Sequence, residues 1–140
     1  MRPIGTVRSA IKKRERRNVK DVIAELIINP ELSRGLDNLD EFSHIIVIYY
    51  MHQHRKPVPL KVRPKYLNGP APVGVFASRS PDRPNPLGKT TVKLLERHEN
   101  VLKVQGLDAI DGTPVLDIKP YIPDIDSVAG ARLPRWMNKS

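Results

Sequence analysis

Apolar residues occur along the chain in short blocks that are rich in β-branched side chains. The longest block, "HIIVIYYM" from His44 to Met51, predicts a strand that is buried on both faces or lies inside a closed barrel. "RPIGTVRS", from Arg2 to Ser9, alternates loosely between apolar and polar positions and predicts a first strand. The segment from Val19 to Ile28 is ambiguous between strand and helix, and its β-branched content favours a strand.

The second half of the chain continues this pattern. Val73 to Ala77 predicts a strand, and Thr90 to Arg97 with Val101 to Leu107 predict a hairpin across "HEN". Another strand, Pro114 to Ile118, follows an Asp111-Gly112 turn. Strands therefore account for most of the predicted regular structure.

Few helices are expected between these strands. Asn29 is a candidate helix cap with Pro30 at the first helical position, so "NPELSRGL" predicts one or two turns that end near Gly35. Residues 52–72 contain many prolines and predict a long loop with a short strand at Leu60 to Arg63. Because successive strands lack intervening helices, we expect antiparallel pairing and closure into a barrel.

The predicted fold class is therefore mainly β: a small antiparallel β-barrel with one or two short connecting helices and long proline-rich loops. A length of 140 residues suits a single domain spanning residues 1–140. The 14 prolines, about twice the average frequency of roughly 5%, agree with many turns and extended segments.

Charge and cysteine content restrict the possible partners. A formal net charge of +9 favours polyanions, nucleic acid first, although net charge alone says nothing about specificity. The absence of cysteine excludes thiolate chemistry, disulfides and thiolate-held metals, and it indicates a cytoplasmic protein. The apolar runs are too short to span a membrane, so no membrane association is expected.

Two polar segments are candidates for a functional site. In "GVFASRSPDRPNPLGKT" (Gly74 to Thr90), Pro81, Pro84 and Pro86 exclude both a helix interior and a central strand. In "DAIDGTPVLDIKPY" (108–121) three aspartates surround a turn, and by residue type alone Asp111 is a turn former and Asp117 a solvent-facing side chain. Stiff polar loops on a strand scaffold are common places for binding sites.

Several familiar sites are disfavoured. The chain has no glycine-rich dinucleotide fingerprint, no phosphate-binding P-loop motif and no H-E-x-x-H zinc motif. His52 and His54 lie two residues apart, which would place both on one face of an extended segment, as a pair of metal ligands requires. No third ligand is evident, so no metal site is predicted.

The two polar segments resemble a known family. "GVFASRSPDRPNPLGKT" together with "DGTPVLDIKPYIP" is similar to the TsaA-like, or TrmO-like (VirR-type), family. The resemblance extends from Ile4 through "GLDNLDEFSHIIVIYYMHQ" to Pro123, most of the chain. It implies an S-adenosylmethionine-dependent methyltransferase on a small antiparallel barrel, usually a homodimer. In the family, the methyl group goes to N6 of threonylcarbamoyl-adenosine at position 37 of tRNA, next to the anticodon.

The resemblance also implies a set of cofactor-binding residues: His52 and Gln53 of "MHQ", Arg79 of "ASRS", Lys89 after "PNPLG", and Asp111, Gly112, Thr113 and Pro114 of "DGTP". Bacterial members add a contact from a proline-containing segment near the N-terminus. Here that region is "IKKRERRNVK", without proline, so no residue is transferred from it. Bacterial members also carry a C-terminal extension with tRNA contacts, which is not expected here.

Methyl transfer from a sulfonium mainly requires alignment of the reactants and exclusion of water, and orientation alone is worth up to about 7 to 11 kcal/mol. Arg79 is suited to pair with an anion, and Asp111 to accept hydrogen bonds from a cation or a hydroxyl. Asp117, or a backbone carbonyl of the proline-rich loop, is a candidate acceptor for the protons of the attacking amine, and Arg83 is a candidate RNA contact. Two alternatives stay open: the same cofactor with another RNA or a small-molecule substrate, and a non-catalytic, basic RNA-binding barrel.

Overall fold

The computed structural model describes residues 1–13, 18–51, 58–63 and 72–137. Its strands are β1 (Gly5–Arg8), β2 (Ile23–Ile28), β3 (His44–Tyr50), β4 (Lys61–Val62), β5 (Val73–Gly74), β6 (Leu87–His98), β7 (Val101–Gln105) and β8 (Pro114–Pro120). Short 3₁₀ helices cover Pro30–Leu36, Leu39–Glu41, Val75–Ala77 and Arg135–Met137, and α1 is one turn at Pro123–Asp126. Within the described ranges, no helix is long and apolar enough to cross a membrane.

Contacts between Cα atoms divide the chain into two compact units. The first contains residues 1–52 and 87–121, and the second contains residues 53–86 and 122–140. In the second unit, β4 and β5 form a two-stranded antiparallel sheet in which Lys61 pairs with Gly74 and Val62 with Val73. A single domain over the whole chain remains a prediction.

Six strands of the first unit form a closed barrel in the order β1-β2-β7-β6-β3-β8. Every neighbouring pair is antiparallel, and β8 closes the ring onto β1 by pairing Val115 with Gly5 and Pro114 with Thr6. Closure gives each of these strands two hydrogen-bonded neighbours, so none presents a free edge. The predicted antiparallel barrel is confirmed.

Alternation along the strands places one face of each in the barrel core. On β3 the side chains of Ile45, Val47 and Tyr49 belong to the core, so Ile46 and Ile48 lie on the outer face. Ile46 is buried as well, which explains why the sequence of this strand is continuously apolar. Other core residues come from neighbouring strands and loops: Val7, Ala24, Leu26, Ile28, Leu36, Val92, Leu94, Leu102, Val104, Leu107, Ala109 and Val115.

Two β-bulges interrupt the ladders. On β8, Asp117 pairs with Ile48 and Val115 with Tyr49, which leaves Leu116 as an extra residue. On β6, Leu95 is extra in the same way, between the residues that pair with Val104 and Lys103. Bulges increase the local twist and bend a strand, which helps a small sheet to close. Neither bulge was predicted.

Two local predictions were wrong. Asn29 makes no side-chain cap to the helix that follows it; its side-chain amide donates instead to the Pro3 carbonyl at 3.3 Å. The strand predicted for Val73 to Ala77 ends at Gly74, and a 3₁₀ turn begins at Val75. The turn forms because the Ser78 hydroxyl and amide both donate to the Val75 carbonyl, at 2.7 and 3.2 Å, in place of a ladder partner.

The predicted hairpin is present with different limits, since β6 starts at Leu87 and β7 ends at Gln105. Its turn contains Glu99, whose φ of 55° lies in the left-handed region. Arg97 fixes this turn by donating from Nε to the Glu99 carbonyl at 2.8 Å. The same guanidinium donates to the Asp37 carboxylate at 2.8 Å and to the Ser33 carbonyl at 2.9 Å, and so attaches the hairpin to the first 3₁₀ helix.

Candidate functional site

The turn that precedes β8 is attached to β1 on both sides of Val7. The Gly112 amide donates to the Val7 carbonyl at 2.8 Å, and the Val7 amide donates to the Thr113 carbonyl at 2.9 Å. Gly112 has a φ of 84°, where a residue with a side chain is strained, although no atom lies within 4 Å of the place where its Cβ would be. Backbone conformation, not space, therefore favours glycine here.

The carboxylate of Asp111 joins this turn to the segment that follows β1. Oδ1 accepts the Ser9 amide at 2.9 Å, and Oδ2 accepts the Lys12 ammonium at 2.8 Å. The Asp111 amide donates in turn to the Ile11 carbonyl at 2.7 Å. The hydrogen bond from Lys12, followed by that from the Ser9 amide, lowers the pKa of Asp111 below its ordinary value of 3.8. Asp111 is therefore anionic and oriented at neutral pH.

We expect the stabilising effect of Asp111 to fade in acid. Because its pKa is lower in the folded than in the unfolded chain, its contribution is fully present above 3.8 and is lost as the pH falls through the folded-state pKa. Thermal unfolding of the wild type and Asp111→Asn should give a difference in Tm at pH 7 that shrinks towards pH 2.5. Lys12→Met should give a smaller decrease with the same trend. A difference that does not change with pH would contradict this assignment.

Thr113 and Pro114 complete the turn with different surroundings. The side chain of Thr113 is buried, and its hydroxyl donates to the Ile110 carbonyl at 2.7 Å, so it maintains the turn itself. Pro114 is the first residue of β8 and pairs with Thr6 of β1. Of the predicted "DGTP" contacts, Asp111 and Gly112 thus present the most accessible polar groups.

Lys89 and Asp117 lie on the outer face of the barrel. Both pair with Ile48 of β3, one from β6 and one from β8, and residues that pair directly share a face. The Asp117 carboxylate accepts the Ile118 amide at 2.9 Å through Oδ1 and contacts Lys119 Nζ at 3.0 Å through Oδ2. Asp117 is thus partly exposed, charge-paired and separated from Lys89 by one strand.

Tyr49 connects three parts of this region. Its hydroxyl lies 2.8 Å from the Thr90 hydroxyl on β6 and donates to the Asp108 carbonyl at 2.7 Å. Tyr49 itself pairs with Gly88 on β6 and Val115 on β8. The end of β3, the start of β6 and the turn before β8 are therefore at the same end of the barrel.

In the second unit, the two arginines of the proline-rich loop have different environments. Arg83 donates from Nη1 to the carbonyls of Ser78 and Ser80, at 2.9 and 3.1 Å, and holds the loop in shape. Arg79 is exposed, and no hydrogen bond or ion pair joins its side chain to another residue of the described ranges. Arg79 is thus available to an anion, whereas RNA binding by Arg83 stays a prediction.

Two predicted cofactor contacts, His52 and Gln53, lie outside the described residues, as does His54. In the part of the chain that the structure describes, no group of three or more His, Asp or Glu side chains is arranged to hold a metal ion. Among the predicted site residues, the structure therefore describes the surroundings of Arg79, Arg83, Lys89, Asp117 and the "DGTP" turn.

Comparison with known proteins supports the resemblance. Residues 10–127 match the family described as the tRNA-methyltransferase O N-terminal domain. The chain belongs to this family. A probable S-adenosyl-L-methionine-binding protein of Pyrococcus abyssi is 42% identical over 144 residues, which cover 99% of this chain and 76% of that protein. The mouse tRNA (adenine(37)-N6)-methyltransferase is 43% identical over 125 residues, covering 89% of this chain and 28% of that protein.

A crystal structure of TrmO matches with a TM-score of 0.75 and 36% identity, covering 94% of this chain and 61% of that one. The chain therefore spans about three-fifths of the solved TrmO chain and a smaller part of the mouse protein.

The structure adds residues to the candidate site that the sequence did not point to. Ser9 and Lys12 hold the Asp111 carboxylate, and Lys12 belongs to the basic N-terminal segment from which no contact was transferred. Tyr49 was noted only as part of an apolar strand, yet its hydroxyl holds the loop that leads to Asp111. A tyrosine hydroxyl that follows the aliphatic run Ile45 to Ile48 is a signal that could have suggested a polar role.

Proposed function

We propose that this protein is an S-adenosylmethionine-dependent methyltransferase that modifies N6 of adenosine 37 in tRNA. The observation that carries the proposal is the family match over residues 10–127. It is supported by the mouse relative, which is named for that reaction, and by archaeal relatives named as S-adenosyl-L-methionine-binding proteins. The net charge of +9 suits a polyanionic substrate.

The described residues fit the chemical groups of the cofactor. S-adenosylmethionine offers a carboxylate, an ammonium and two ribose hydroxyls, and it supplies an electrophilic methyl group on a sulfonium. Arg79, exposed and without a partner in the described ranges, is suited to the carboxylate. The Asp111 carboxylate keeps lone pairs beyond those used by Ser9 and Lys12, so it can accept from the ammonium or a hydroxyl. Six further residues complete the proposed set: His52, Gln53, Lys89, Gly112, Thr113 and Pro114.

The chain's own contribution to the reaction is orientation of the two reactants. An adenine amine attacks weakly because its lone pair is shared with the ring, so an acceptor for its protons assists the attack. We propose Asp117 for this role, since its carboxylate is partly exposed and charge-paired with Lys119 rather than buried. No protein nucleophile is required, because the methyl group passes directly to the amine.

Three finer assignments rest on the family resemblance: threonylcarbamoyl-adenosine as the modified nucleoside, a homodimer, and a cytoplasmic location. A threonylcarbamoyl group leaves N6 with a single hydrogen, so the reaction balances when the N–C bond to the methyl group forms, the bond from the methyl group to sulfur breaks and that one proton is lost. Sedimentation velocity tests the proposed homodimer directly.

Cofactor binding provides the first test. We expect calorimetric titration to detect S-adenosylmethionine binding, and Arg79→Ala to weaken it by about 10- to 100-fold, the value of one or two charge-assisted hydrogen bonds. Tm should stay nearly unchanged, since no hydrogen bond or ion pair joins the Arg79 side chain to another residue of the ranges that the structure describes. Arg34→Ala removes another exposed arginine, from the first 3₁₀ helix, and should have no effect. If the folded wild type shows no binding at millimolar cofactor, both methyltransferase alternatives fail.

The substrate is tested with methyl-labelled cofactor and tRNA. Nuclease digestion and mass spectrometry should place the label on N6 at position 37, and a tRNA with guanosine at that position should accept none. Comparison of tRNA with and without the threonylcarbamoyl group decides the finer assignment. Label transferred to a tRNA that lacks adenosine 37 would contradict the proposed site of modification.

A further inference from the structure

One aromatic side chain is displayed on the surface in an unusual way. Phe76 is 76% exposed, more than any other aromatic residue of the described ranges, in which Tyr50 and Phe42 follow at 40% and 38%. It lies in the 3₁₀ turn Val75–Ala77 at the start of the proline-rich loop. Leu60, whose carbonyl accepts the Val75 amide, is 75% exposed as well.

The backbone on both sides of Phe76 is fixed. Val75 is buried, with its amide bonded to the Leu60 carbonyl at 2.9 Å and its carbonyl bonded to the hydroxyl and amide of Ser78. Ser78 is also buried, and its carbonyl accepts the Arg83 guanidinium at 2.9 Å. The phenyl ring is therefore held out to solvent by a turn whose flanking residues are anchored.

The sequence around this ring is strongly basic. Residues 52–86 contain seven Lys and Arg and a single acidic residue, Asp82. Lys61 and Arg63 stand on and beside β4, one residue and three residues after Leu60, and both are exposed. An exposed apolar surface among cations complements a ligand with flat apolar faces and a negatively charged backbone, which describes single-stranded nucleic acid.

We propose that Phe76 stacks on an unpaired base of the RNA substrate, and that Lys61 and Arg63 contact the neighbouring phosphates. The inference rests on the proposed function, because it assigns a residue to the RNA side of that reaction. A ring held in place before binding loses little conformational entropy when a base stacks on it. Stacking accepts any base, so Phe76 contributes affinity and positioning rather than sequence recognition.

The test uses the full chain, saturating S-adenosylmethionine and an anticodon stem-loop RNA. Phe76→Ala should raise the KM for RNA by about 10-fold, within the usual effect of losing one stacked base. Phe76→Trp, which keeps a stacking face, should restore it, whereas Phe76→Leu, apolar without such a face, should not. We expect the wild type and the three Phe76 variants to have the same affinity for S-adenosylmethionine and the same sedimentation coefficient.

Salt dependence separates stacking from charge. The increase in the KM for RNA that Phe76→Ala causes should persist from low to high salt. Lys61→Ala and Arg63→Ala should instead each lower the slope of the logarithm of RNA affinity against the logarithm of salt concentration. An unchanged KM in Phe76→Ala overturns the inference. So does an equal loss of S-adenosylmethionine affinity, which would place the ring against the cofactor, or a loss of dimer, which would place it at a protein interface. A wild type that binds no cofactor and methylates no RNA instead rejects the proposed function itself.

Discussion

Gly5→Ala should lower the free energy of unfolding by about 3 kcal/mol, at the upper end of the usual cost of overpacking. A Cβ at this position would lie 2.9 Å from the Ile28 Cα and closer still to the Ile27 carbonyl oxygen. Both atoms belong to the backbone of β2, so no side chain can rotate away. The strands must separate at the place where Gly5 pairs with Ile28 on one side and Val115 on the other.

Chemical denaturation with urea measures this effect, and the chain offers a matched control. Gly35 lies in the first 3₁₀ helix, and a Cβ there would meet no atom within 4 Å. Gly35→Ala should therefore change stability by less than about 1 kcal/mol, in either direction. Equal stability of Gly5→Ala and the wild type would mean that β1 and β2 are not packed this closely.

Strands that depend on local pattern were predictable from the sequence. β3 follows from a run of apolar, β-branched residues, and the β6–β7 hairpin from two such runs separated by "HEN". Antiparallel closure followed from the lack of helices between strands. Each of these conclusions uses information within about ten residues of the chain, the range over which hydrophobic period and turn chemistry act.

Contacts between distant segments were not predictable in the same way. Ser9 and Lys12 reach Asp111 across about a hundred residues of sequence, because β1 and β8 are neighbours in the closed ring. The register that brings them together pairs Gly5 with Val115 and Thr6 with Pro114, and the hydrophobic pattern alone does not reveal it. A local hydrogen bond also explains why the strand predicted for Val73 to Ala77 ends early. The Ser78 hydroxyl donates to the Val75 carbonyl, which a neighbouring strand would otherwise have bonded.

The two arginines of the proline-rich loop have different roles. They are equivalent by residue type, yet Arg83 is bonded to two carbonyls of its own loop and Arg79 is not bonded within the described ranges. Because Arg83 holds the backbone, prolines and arginine act together to fix the position of Arg79. We therefore expect binding effects from Arg79 and mainly structural effects from Arg83.

Gly88→Ala should lower the free energy of unfolding by about 2 to 3 kcal/mol. A Cβ at this position would lie 2.6 Å from Tyr49 Cζ and 3.0 Å from Cδ2, and closer still to Cε2. The ring is buried in the core and its hydroxyl is bonded to Thr90 and to the Asp108 carbonyl, so it can move only by giving up those bonds. Cofactor affinity should fall as well, because the displaced loop leads to Asp111.

A double-mutant cycle separates the clash from other effects of the added methyl group. In a Tyr49→Leu background the aromatic ring is gone, so Gly88→Ala should cost less than about 1 kcal/mol, and the coupling between the two positions should exceed about 1 kcal/mol. Tyr49→Phe keeps the ring and removes the hydroxyl bonds that hold it, so there the cost of Gly88→Ala should lie between its values in the wild type and in Tyr49→Leu. Additive effects in the Tyr49→Leu background would show that Tyr49 does not lie over Gly88, and the link from β6 to the "DGTP" turn would then have to run through other residues.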